Sequence, residues 1–337
     1  MPAVSVVIPL YNKGPYIARS LNSVLIQTFS DFEVIVVDDG STDGGAEIVR
    51  GFTDPRIKLI QQENQGVSAA RNRGIEAASA EMVAFLDADD EWLQQFLEIV
   101  TKLRGRFPGA GAYATAVTAS CKGTMKRFQY RSIPSSNWEG LITDYFRALA
   151  FGDSILFSSS VAIPREILRE MNGFTADTTW GEDLDLWGRI ALKYPIGFST
   201  SHCSIIHMVN ESLDQIYGRV TVTRENPFLK SAAAAIKGEK SSFFDRRYLT
   251  LYFDRMVIES ALFNAIIGRK NDSKEILNKC KSKAFFLTKT CLILWYAVPE
   301  QFVGKNNKVW ESSLLMLLLY LLPLEVRIFR FAMRYLS

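Results

Sequence analysis

The stretch VSVVIPLYNKGPYIARSLNSVLIQTFSDFEVIVVDDG (residues 4–40) decides the fold class. Its two ends, VSVVIPLY and FEVIVVDD, are short runs rich in β-branched residues, and each predicts a strand. Between them, Ile17, Leu21, Val24 and Leu25 recur at helical spacing and predict a helix. The chain therefore begins with a strand, a helix and a second strand.

The same alternation continues to about residue 90. IKLIQQ (57–62) and MVAFLD (82–87) predict two more strands, and the Ala-rich segment GVSAARNRGIEAAS (66–79) predicts a helix between them. Strands that alternate with helices favour an α/β fold with a mainly parallel sheet flanked by helices. Such sheets bind ligands at the carboxyl ends of their strands. Polar clusters follow three of the predicted strands: Tyr11-Asn12, Asp38-Asp39 and Asp87–Glu91.

The rest of the chain predicts a second region. Residues 91–210 mix a long helix after Glu91, short strand-like runs and a helix through EDLDLWGRIAL (182–192). From about residue 226 the sequence becomes helical in pattern and dense in Lys, Arg, Phe and Leu. We therefore expect an α/β domain over residues 1–228 and a helical, basic and apolar C-terminal region over residues 229–337.

Charge divides the chain in a similar way. Residues 1–229 contain 21 basic and 27 acidic residues, whereas residues 230–337 contain 18 basic and 9 acidic residues. An acidic body with a basic, apolar tail favours an anionic membrane surface as the partner of the tail. Nucleic acid is disfavoured as a partner, because the basic residues of the tail are interleaved with long aliphatic runs.

The tail predicts attachment to a membrane surface rather than a membrane span. Its uncharged stretches, 290–299 and 312–324, are shorter than the ~20 apolar residues that a spanning helix needs. Arg327, Arg330 and Arg334 fall on one helical stripe, as in a helix lying in the membrane interface, although a core helix with outward Arg side chains fits as well. Sparse cysteines and the lack of a signal-peptide pattern predict a cytoplasmic location, peripheral at the inner face of the cell membrane.

The stretch FLDADDEWL (85–93) concentrates four acidic residues directly after a buried strand pattern. Acids in the first turn of a helix stabilise it by ~0.3–1 kcal/mol each, and we assign this role to Asp90 and Glu91. Asp87 and Asp89 lie at the predicted sheet edge, where two like charges repel each other unless a cation lies between them. Their pattern fits a magnesium-like ion held by one or two carboxylates, with water and substrate phosphates as the other ligands.

Two further motifs lie at predicted strand ends. DDGSTDGG (38–45) is either a capped turn or a turn whose carboxylates accept hydrogen bonds from a uracil ring or a ribose. Arg71, in the small-residue segment SAARN, suits a diphosphate or a base edge, whereas Arg73 fits a solvated surface. The chain lacks the G-x-G-x-x-G dinucleotide fingerprint after its first strand, and it has no phosphate-binding P-loop motif.

Five strings in this order, VSVVIPLYN, VIVVDDGSTD, NQGVSAARNRG, FLDADD and WGEDLDLWGRI, together resemble glycosyltransferase family 2 over about residues 3–210. This family contains inverting nucleotide-sugar transferases of the GT-A fold, in which a Rossmann-like, mainly parallel sheet binds the nucleotide. The resemblance therefore implies a GT-A domain, here followed by a C-terminal helical region.

The resemblance also implies roles for single residues. The nucleotide-binding residues would be Pro9, Tyr11, Asn12, Asp39, Arg71 and Asp87. Asp89, the last acid of the D-x-D motif, would coordinate Mn²⁺ or Mg²⁺ through the donor diphosphate, and His207 would lie near that ion. Asp183 of the Glu182-Asp183 pair would be the catalytic base, although acids that open a helix can also complement its dipole.

The expected reaction is a single in-line displacement that moves one sugar from a nucleotide sugar, with a UDP-sugar as the expected donor, to an acceptor hydroxyl. The Q-x-x-R-W string of processive synthases is missing after the acidic pair. We therefore expect non-processive transfer to a glycan or a lipid-linked glycan of a surface polysaccharide. Two alternatives stay open: a nucleotidyltransferase that makes a nucleotide sugar, and a non-catalytic, sugar-nucleotide-binding membrane scaffold.

Overall fold

The computed structural model describes residues 1–121, 123–128, 130–134, 137–150, 153, 155–176, 181–208, 226–238, 244–266 and 269–280. The helices are α1 (Gly14–Leu25), α2 (Gly45–Arg50), α3 (Val67–Ala77), α4 (Phe96–Arg106), α5 (Tyr145–Ala150), α6 (Arg165–Glu170), α7 (Glu182–Ala191), α8 (Phe228–Lys237), α9 (Arg246–Ile266) and α10 (Lys270–Leu277). The strands are β1 (Val4–Leu10), β2 (Phe32–Asp38), β3 (Ile57–Gln61), β4 (Met82–Phe85), β5 (Glu91–Trp92), β6 (Ala112–Cys121), β7 (Thr124–Arg127), β8 (Glu139–Ile142), β9 (Val161–Pro164) and β10 (Ile196–Met208).

The chain divides into two compact units. The first unit, Met1–Asn210 with Ser242–Phe244, contains every described strand together with α1–α7. The second unit, Glu211–Ser241 with Asp245–Ser337, contains α8–α10 among its described residues. The domain boundary expected after residue 228 stays a prediction.

One mixed sheet forms the first unit, in the order β3-β2-β1-β4-β9-β6-β10-β5. Its first four strands are parallel and are connected by α1, α2 and α3. The later strands add antiparallel pairs, including β4 with β9 and β9 with β6. This architecture confirms the predicted α/β class of the GT-A type, with the parallel pairs concentrated at its N-terminal end. β1 lies between β2 and β4, so the strand order reverses there, and the crevice beyond their carboxyl ends is the expected ligand site.

Three strands of the sheet, β1, β2 and β4, are buried on both faces. On one face, Val6 and Ile8 of β1 pack in a core that also contains Leu21 of α1 and Phe96 of α4. The other face of β1 packs against α3. Burial on both sides explains why the first strands are continuous apolar runs rather than alternating ones.

The acidic stretch after β4 leads into a strand, so the assignment of Asp90 and Glu91 to a helix start is wrong. α4 begins only at Phe96, and Glu91 lies in β5, antiparallel to β10. Trp92 is 2% exposed, and its ring stacks on Phe96 with 4.1 Å between the ring centroids. Burying this indole holds the chain extended at the sheet edge, and the helix starts about one turn later.

The second unit is helical in its described part, as expected for the C-terminal region. Among residues 1–280, where described, no helix combines the length and the apolar character needed to cross a membrane. The stretches 290–299 and 312–324 and the arginine stripe from 327 to 334 lie outside the described residues.

Candidate active site

The predicted site residues lie on several elements of the first unit, mostly near the carboxyl ends of its strands. Pro9 lies in β1, and Tyr11 and Asn12 follow it; Asp39 follows β2, and Asp87 and Asp89 follow β4. Arg71 lies in α3, Asp183 in the first turn of α7 and His207 near the end of β10. Direct contacts link some of these residues, whereas others are related only by their place on the sheet.

The loop after β1 is tied to the loop after β2. The backbone N–H of Asn12 donates to Ser41 Oγ at 3.1 Å, and its side-chain oxygen accepts from the N–H of Thr42 at 2.9 Å. Asn12 has a φ of 50°, in the left-handed region that Asn tolerates better than most residues. This turn leaves the neighbouring Tyr11 49% exposed, so its ring is accessible for stacking.

Asp39 organises the entry into α3. Its carboxylate accepts from Gln62 Nε2 at 2.8 Å, from the Gln65 N–H at 2.9 Å and from the Gly66 N–H at 2.8 Å. Gly66 has a φ of 89°, a conformation that only glycine adopts without strain. Asp39 therefore fixes the loop that leads to Arg71, a role that the sequence analysis missed. Its contact with a pyrimidine stays a prediction.

Arg71 is the centre of the site. It is 4% exposed, and its guanidinium donates to Asp87 Oδ1 at 2.8 Å and to Glu182 Oε1 at 3.0 Å. The ring of Phe174 lies 5.2 Å from Arg71 Cζ. Burial alone would lower the pKa of Arg71, but the charges of Asp87 and Glu182 raise it above its ordinary value. The guanidinium thus joins the D-x-D segment to the acidic start of α7.

The three acids of the first turn of α7 have different partners. Asp185 is buried and accepts from Thr175 Oγ1 at 2.5 Å and from Arg189 Nε at 2.9 Å, so its role is structural. Glu182 binds Arg71. Asp183 forms no ion pair within the described part of the chain, and its carboxylate accepts from the Leu184 N–H at 2.7 Å.

Burial and the neighbouring charge of Glu182 raise the pKa of Asp183 to about 6. The charge of Arg71 opposes this rise without cancelling it. A carboxylate that is free of a salt bridge among the described residues and has a raised pKa has the properties of a general base at neutral pH. The geometry therefore favours Asp183 over Glu182 and Asp185 for this role.

The acidic loop after β4 is held by basic and hydroxyl side chains of α1 and its N-cap. Lys13 Nζ lies 2.5 Å from Asp89 Oδ2, and Arg19 donates through Nη2 to the backbone oxygen of Asp89. The Ser20 hydroxyl lies 2.8 Å from the backbone oxygen of Ala88 and 2.6 Å from that of Asp90. The loop is therefore fixed through its backbone, while Asp89 keeps a side chain that is 20% exposed.

Asp90 links the loop after β4 to the end of β10 at His207. Asp90 is buried and accepts from Ser159 Oγ at 2.5 Å and from the backbone N–H of His207 at 2.9 Å. Burial, followed by the charge of Asp87, raises the pKa of Asp90 to about 7. The imidazole of His207 lies 2.8 Å from Glu91 Oε1. The structure thus pairs His207 with Glu91.

The donor set suits a hard divalent cation with few protein ligands. Asp87 and Asp89 are partly exposed carboxylates at the turn after β4, and oxygen ligands of this kind are those that Mg²⁺ and Mn²⁺ accept. In the described ranges, no group of three or more His, Cys, Asp or Glu side chains could form a metal cage. The residues therefore fit an ion that takes most of its other ligands from substrate phosphates and water.

Lys13 and Ser159 were missed by the sequence analysis. Lys13 carries a detectable signal, because a basic residue three positions after β1 lies at the same sheet edge as the acids that follow the neighbouring strand β4. Ser159 carries none, because its position depends on the pairing of β9 with β4, strands separated by 75 residues or more.

Residues 5–171 match the family model described as Glycosyl transferase family 2. These residues form a glycosyltransferase family 2 domain. An uncharacterized glycosyltransferase of Rickettsia conorii is 33% identical to this chain over 199 residues, which are 58% of this chain and 31% of that relative. The chain thus spans about a third of the length of the curated relatives that it matches.

Two solved structures share the fold of this chain. S. aureus TarS, in complex with UDP-GlcNAc, has a TM-score of 0.60 at 18% identity, over 86% of each chain. The mannosyltransferase PcManGT from Pyrobaculum calidifontis, in complex with GDP-Man and Mn²⁺, has a TM-score of 0.56 at 21% identity, over 95% of this chain and 86% of the other. At these identities, the likeness shows the common fold.

Proposed function

We propose that the chain is an inverting glycosyltransferase that moves one sugar from a nucleoside-diphosphate sugar, with a UDP-sugar as donor, to a hydroxyl of a glycan or lipid-linked glycan. The family 2 domain and the nucleotide sugars named with TarS and PcManGT support this donor class. The observation that carries the proposal is the environment of Asp183, a half-buried carboxylate without a salt bridge among the described residues, with a pKa raised to about 6.

Each of the site residues has a separate role in the proposed reaction. Asp183 accepts the proton of the acceptor hydroxyl while that oxygen attacks the anomeric carbon from the face opposite the leaving nucleoside diphosphate, so one displacement inverts the configuration. Arg71 keeps Asp87 and Glu182 in fixed positions. Pro9, Tyr11, Asn12 and Asp39 bind the nucleoside at the loops after β1 and β2.

A divalent ion, Mn²⁺ or Mg²⁺, would be held by Asp89 with help from Asp87, and His207 would lie on the β10 side of the same loop. Such an ion would offset the negative charge that grows on the leaving diphosphate. The chain's own contribution is to keep the two carboxylates partly exposed and their loop fixed by Arg19 and Ser20.

We place the acceptor at the cytoplasmic face of the membrane. Residues 230–337 contain twice as many basic as acidic residues, 18 against 9, together with long aliphatic runs. This composition favours peripheral attachment to an anionic lipid surface, which would bring the site close to a lipid-linked glycan. Transfer of a single sugar fits a chain without the Q-x-x-R-W string of processive synthases.

Incubation with a panel of nucleotide sugars, with and without Mn²⁺, tests the proposed activity. We expect one UDP-sugar to release UDP. The release should be slow, by hydrolysis, when no acceptor is present, and faster when a glycan acceptor is added. An NMR measurement of the anomeric configuration of the product distinguishes inversion from retention. Release of pyrophosphate would instead identify a nucleotidyltransferase, and tight binding without any product would identify a non-catalytic scaffold.

A further inference from the structure

Ser159 lies directly opposite the D-x-D motif because of the register of two antiparallel strands. Val83 of β4 pairs with Ile163 of β9, and Ala84 pairs with Ala162. Ser159 lies two residues before β9 and Asp87 lies two residues after β4, so this antiparallel pairing brings the two positions together. Ser159 belongs to a 3₁₀ turn, Ser158–Ser160, that immediately precedes β9 and is buried.

The side chain of Ser159 uses this position to bind the acidic loop twice. Its Oγ accepts a hydrogen bond from the backbone N–H of Asp87 at 3.1 Å. The same hydroxyl donates to Asp90 Oδ2 at 2.5 Å. Ser159 is 1% exposed, so water cannot replace either bond without a rearrangement of the loop.

Asp90 extends the connection to the opposite side of the loop. Its second carboxylate oxygen accepts from the backbone N–H of His207 at 2.9 Å. One hydroxyl group therefore sets the backbone at Asp87 and the position of Asp90, and through Asp90 it relates the D-x-D loop to the end of β10. A carboxylate ligand must be held to within a fraction of an ångström for metal binding, and surrounding hydrogen bonds supply that constraint.

We propose that Ser159 is a positioning residue for the metal-dependent binding of the donor diphosphate, acting through the Asp87 backbone and the Asp90 carboxyl. This inference rests on the proposed function. Ser159 would touch neither the ion nor the diphosphate; it fixes the loop whose carboxylates would hold the ion.

Ser160 supplies a matched control on the same turn. It is the same residue type and is fully buried, but among the described residues its Oγ hydrogen-bonds to Phe157, donating to the backbone oxygen at 3.3 Å and accepting from the N–H at 3.3 Å. Replacing Ser160 with Ala therefore removes a buried hydroxyl from the turn without removing a bond to the acidic loop.

The test measures the Mn²⁺ concentration that gives half of the maximal thermal stabilisation by a fixed concentration of UDP. Ser159→Ala is expected to raise this concentration about tenfold, because the Asp87 N–H loses its partner and the buried Asp90 carboxyl loses one of its two. Binding of UDP without Mn²⁺ should change little, and Ser160→Ala should keep the wild-type Mn²⁺ dependence. If Ser159→Ala does not fold, Ser159→Cys fills the same space with a weak donor and is measured in the same way.

An unchanged Mn²⁺ dependence in Ser159→Ala or its Cys substitute would overturn the inference, and so would an equal shift in Ser160→Ala. The wild-type protein separates this result from the proposed function. If wild-type protein is not stabilised by UDP with Mn²⁺, the proposed donor and metal are wrong; if it is stabilised and Ser159→Ala behaves identically, only the positioning role is wrong.

Discussion

Two acids in the first turn of α7, Asp183 and Asp185, have different roles: one fits a general base and the other a structural ion pair. Asp183 has no ion pair among the described residues, whereas Asp185 is bonded to Arg189 and Thr175. Asp183→Asn should lower kcat by roughly 10²–10⁴-fold, the contribution of a general base, while the Kd for UDP stays close to wild type. Steady-state assays of UDP release and calorimetric titration with UDP measure the two quantities.

Asp185→Asn is the control for this prediction. Removing one partner of a buried ion pair typically lowers the free energy of unfolding by roughly 3–5 kcal/mol, so this variant should unfold at lower urea concentration. Below its unfolding transition it should retain most of the wild-type kcat. Near-normal turnover in Asp183→Asn would move the base to another group.

The raised pKa of Asp183 predicts opposite pH effects on activity and on stability. The transfer rate should fall as the pH drops through about 6, because the base becomes protonated. In the folded chain the pKa is about 6 against an ordinary 3.8, so the stabilising contribution of this carboxyl is complete below about 3.8 and is lost as the pH rises through about 6.

Asp183→Asn therefore separates the two effects. Its Tm should exceed that of wild type at pH 8, where the wild-type carboxylate is charged and half-buried, and the difference should shrink at about pH 4. Differential scanning fluorimetry across this range measures the shift. A Tm difference that does not vary with pH would contradict a raised pKa at this position.

Site residues that lie at strand ends could be predicted from the sequence. Residues that reach the site through contacts between segments far apart in the sequence could not. Asp39, Asp87 and Asp89 follow buried strands, so their common sheet edge is visible in the sequence. The environment of Asp183 is not, because it depends on the way the first turn of α7 meets Arg71 of α3. Ser159 was missed for the same reason.

At the scale of elements, the contact of α3 with β1 depends on a glycine. A Cβ atom added to Gly74 would overlap the Val7 side chain of β1, and Val7 is fully buried. Gly74→Ala should lower the free energy of unfolding by about 1–3 kcal/mol, the usual cost of overpacking a core. Urea denaturation followed by circular dichroism measures this change.

Gly105 of α4 is the control, because a Cβ atom added there meets no atom within 4 Å. Gly105→Ala should raise the free energy of unfolding by up to about 1 kcal/mol, since Ala is a better helix former than Gly. Equal effects of the two substitutions would show that helix propensity, rather than the contact with Val7, decides both.

The first four strands and the helices between them could be predicted from the sequence because their apolar runs are local and regular. β1 and β2 lie within a residue of their predicted ends, as does β3. β5 could not be predicted, since two residues carry no periodicity and their strand character comes from pairing with β10. The predicted start of α4 was wrong because Trp92, which follows the acids, is buried in β5. Its burial outweighs the preference of the acids before it for a helix start.

At the scale of the whole molecule, the two regions differ in charge. Residues 1–229 have an excess of acidic residues, 27 against 21, which opposes contact with an anionic surface. Residues 281–337 alone contain 8 basic and 3 acidic residues. Each basic residue near such a surface contributes roughly 1 kcal/mol at low salt, so the attraction of the C-terminal region can exceed the repulsion of the rest.

This asymmetry predicts that the full chain sediments with liposomes containing phosphatidylglycerol, and that a chain ending at Cys280 does not. Binding should weaken at high salt and on pure phosphatidylcholine, because the attraction is largely electrostatic.

Replacing Arg327, Arg330 and Arg334 together by Gln should reduce liposome binding at unchanged Tm. Arg73→Gln, which changes an exposed arginine of the first unit, should leave liposome binding unchanged. A full chain that stays in the supernatant at low salt would contradict peripheral attachment, and a large loss of Tm in the triple variant would identify the C-terminal segment as part of the folded core.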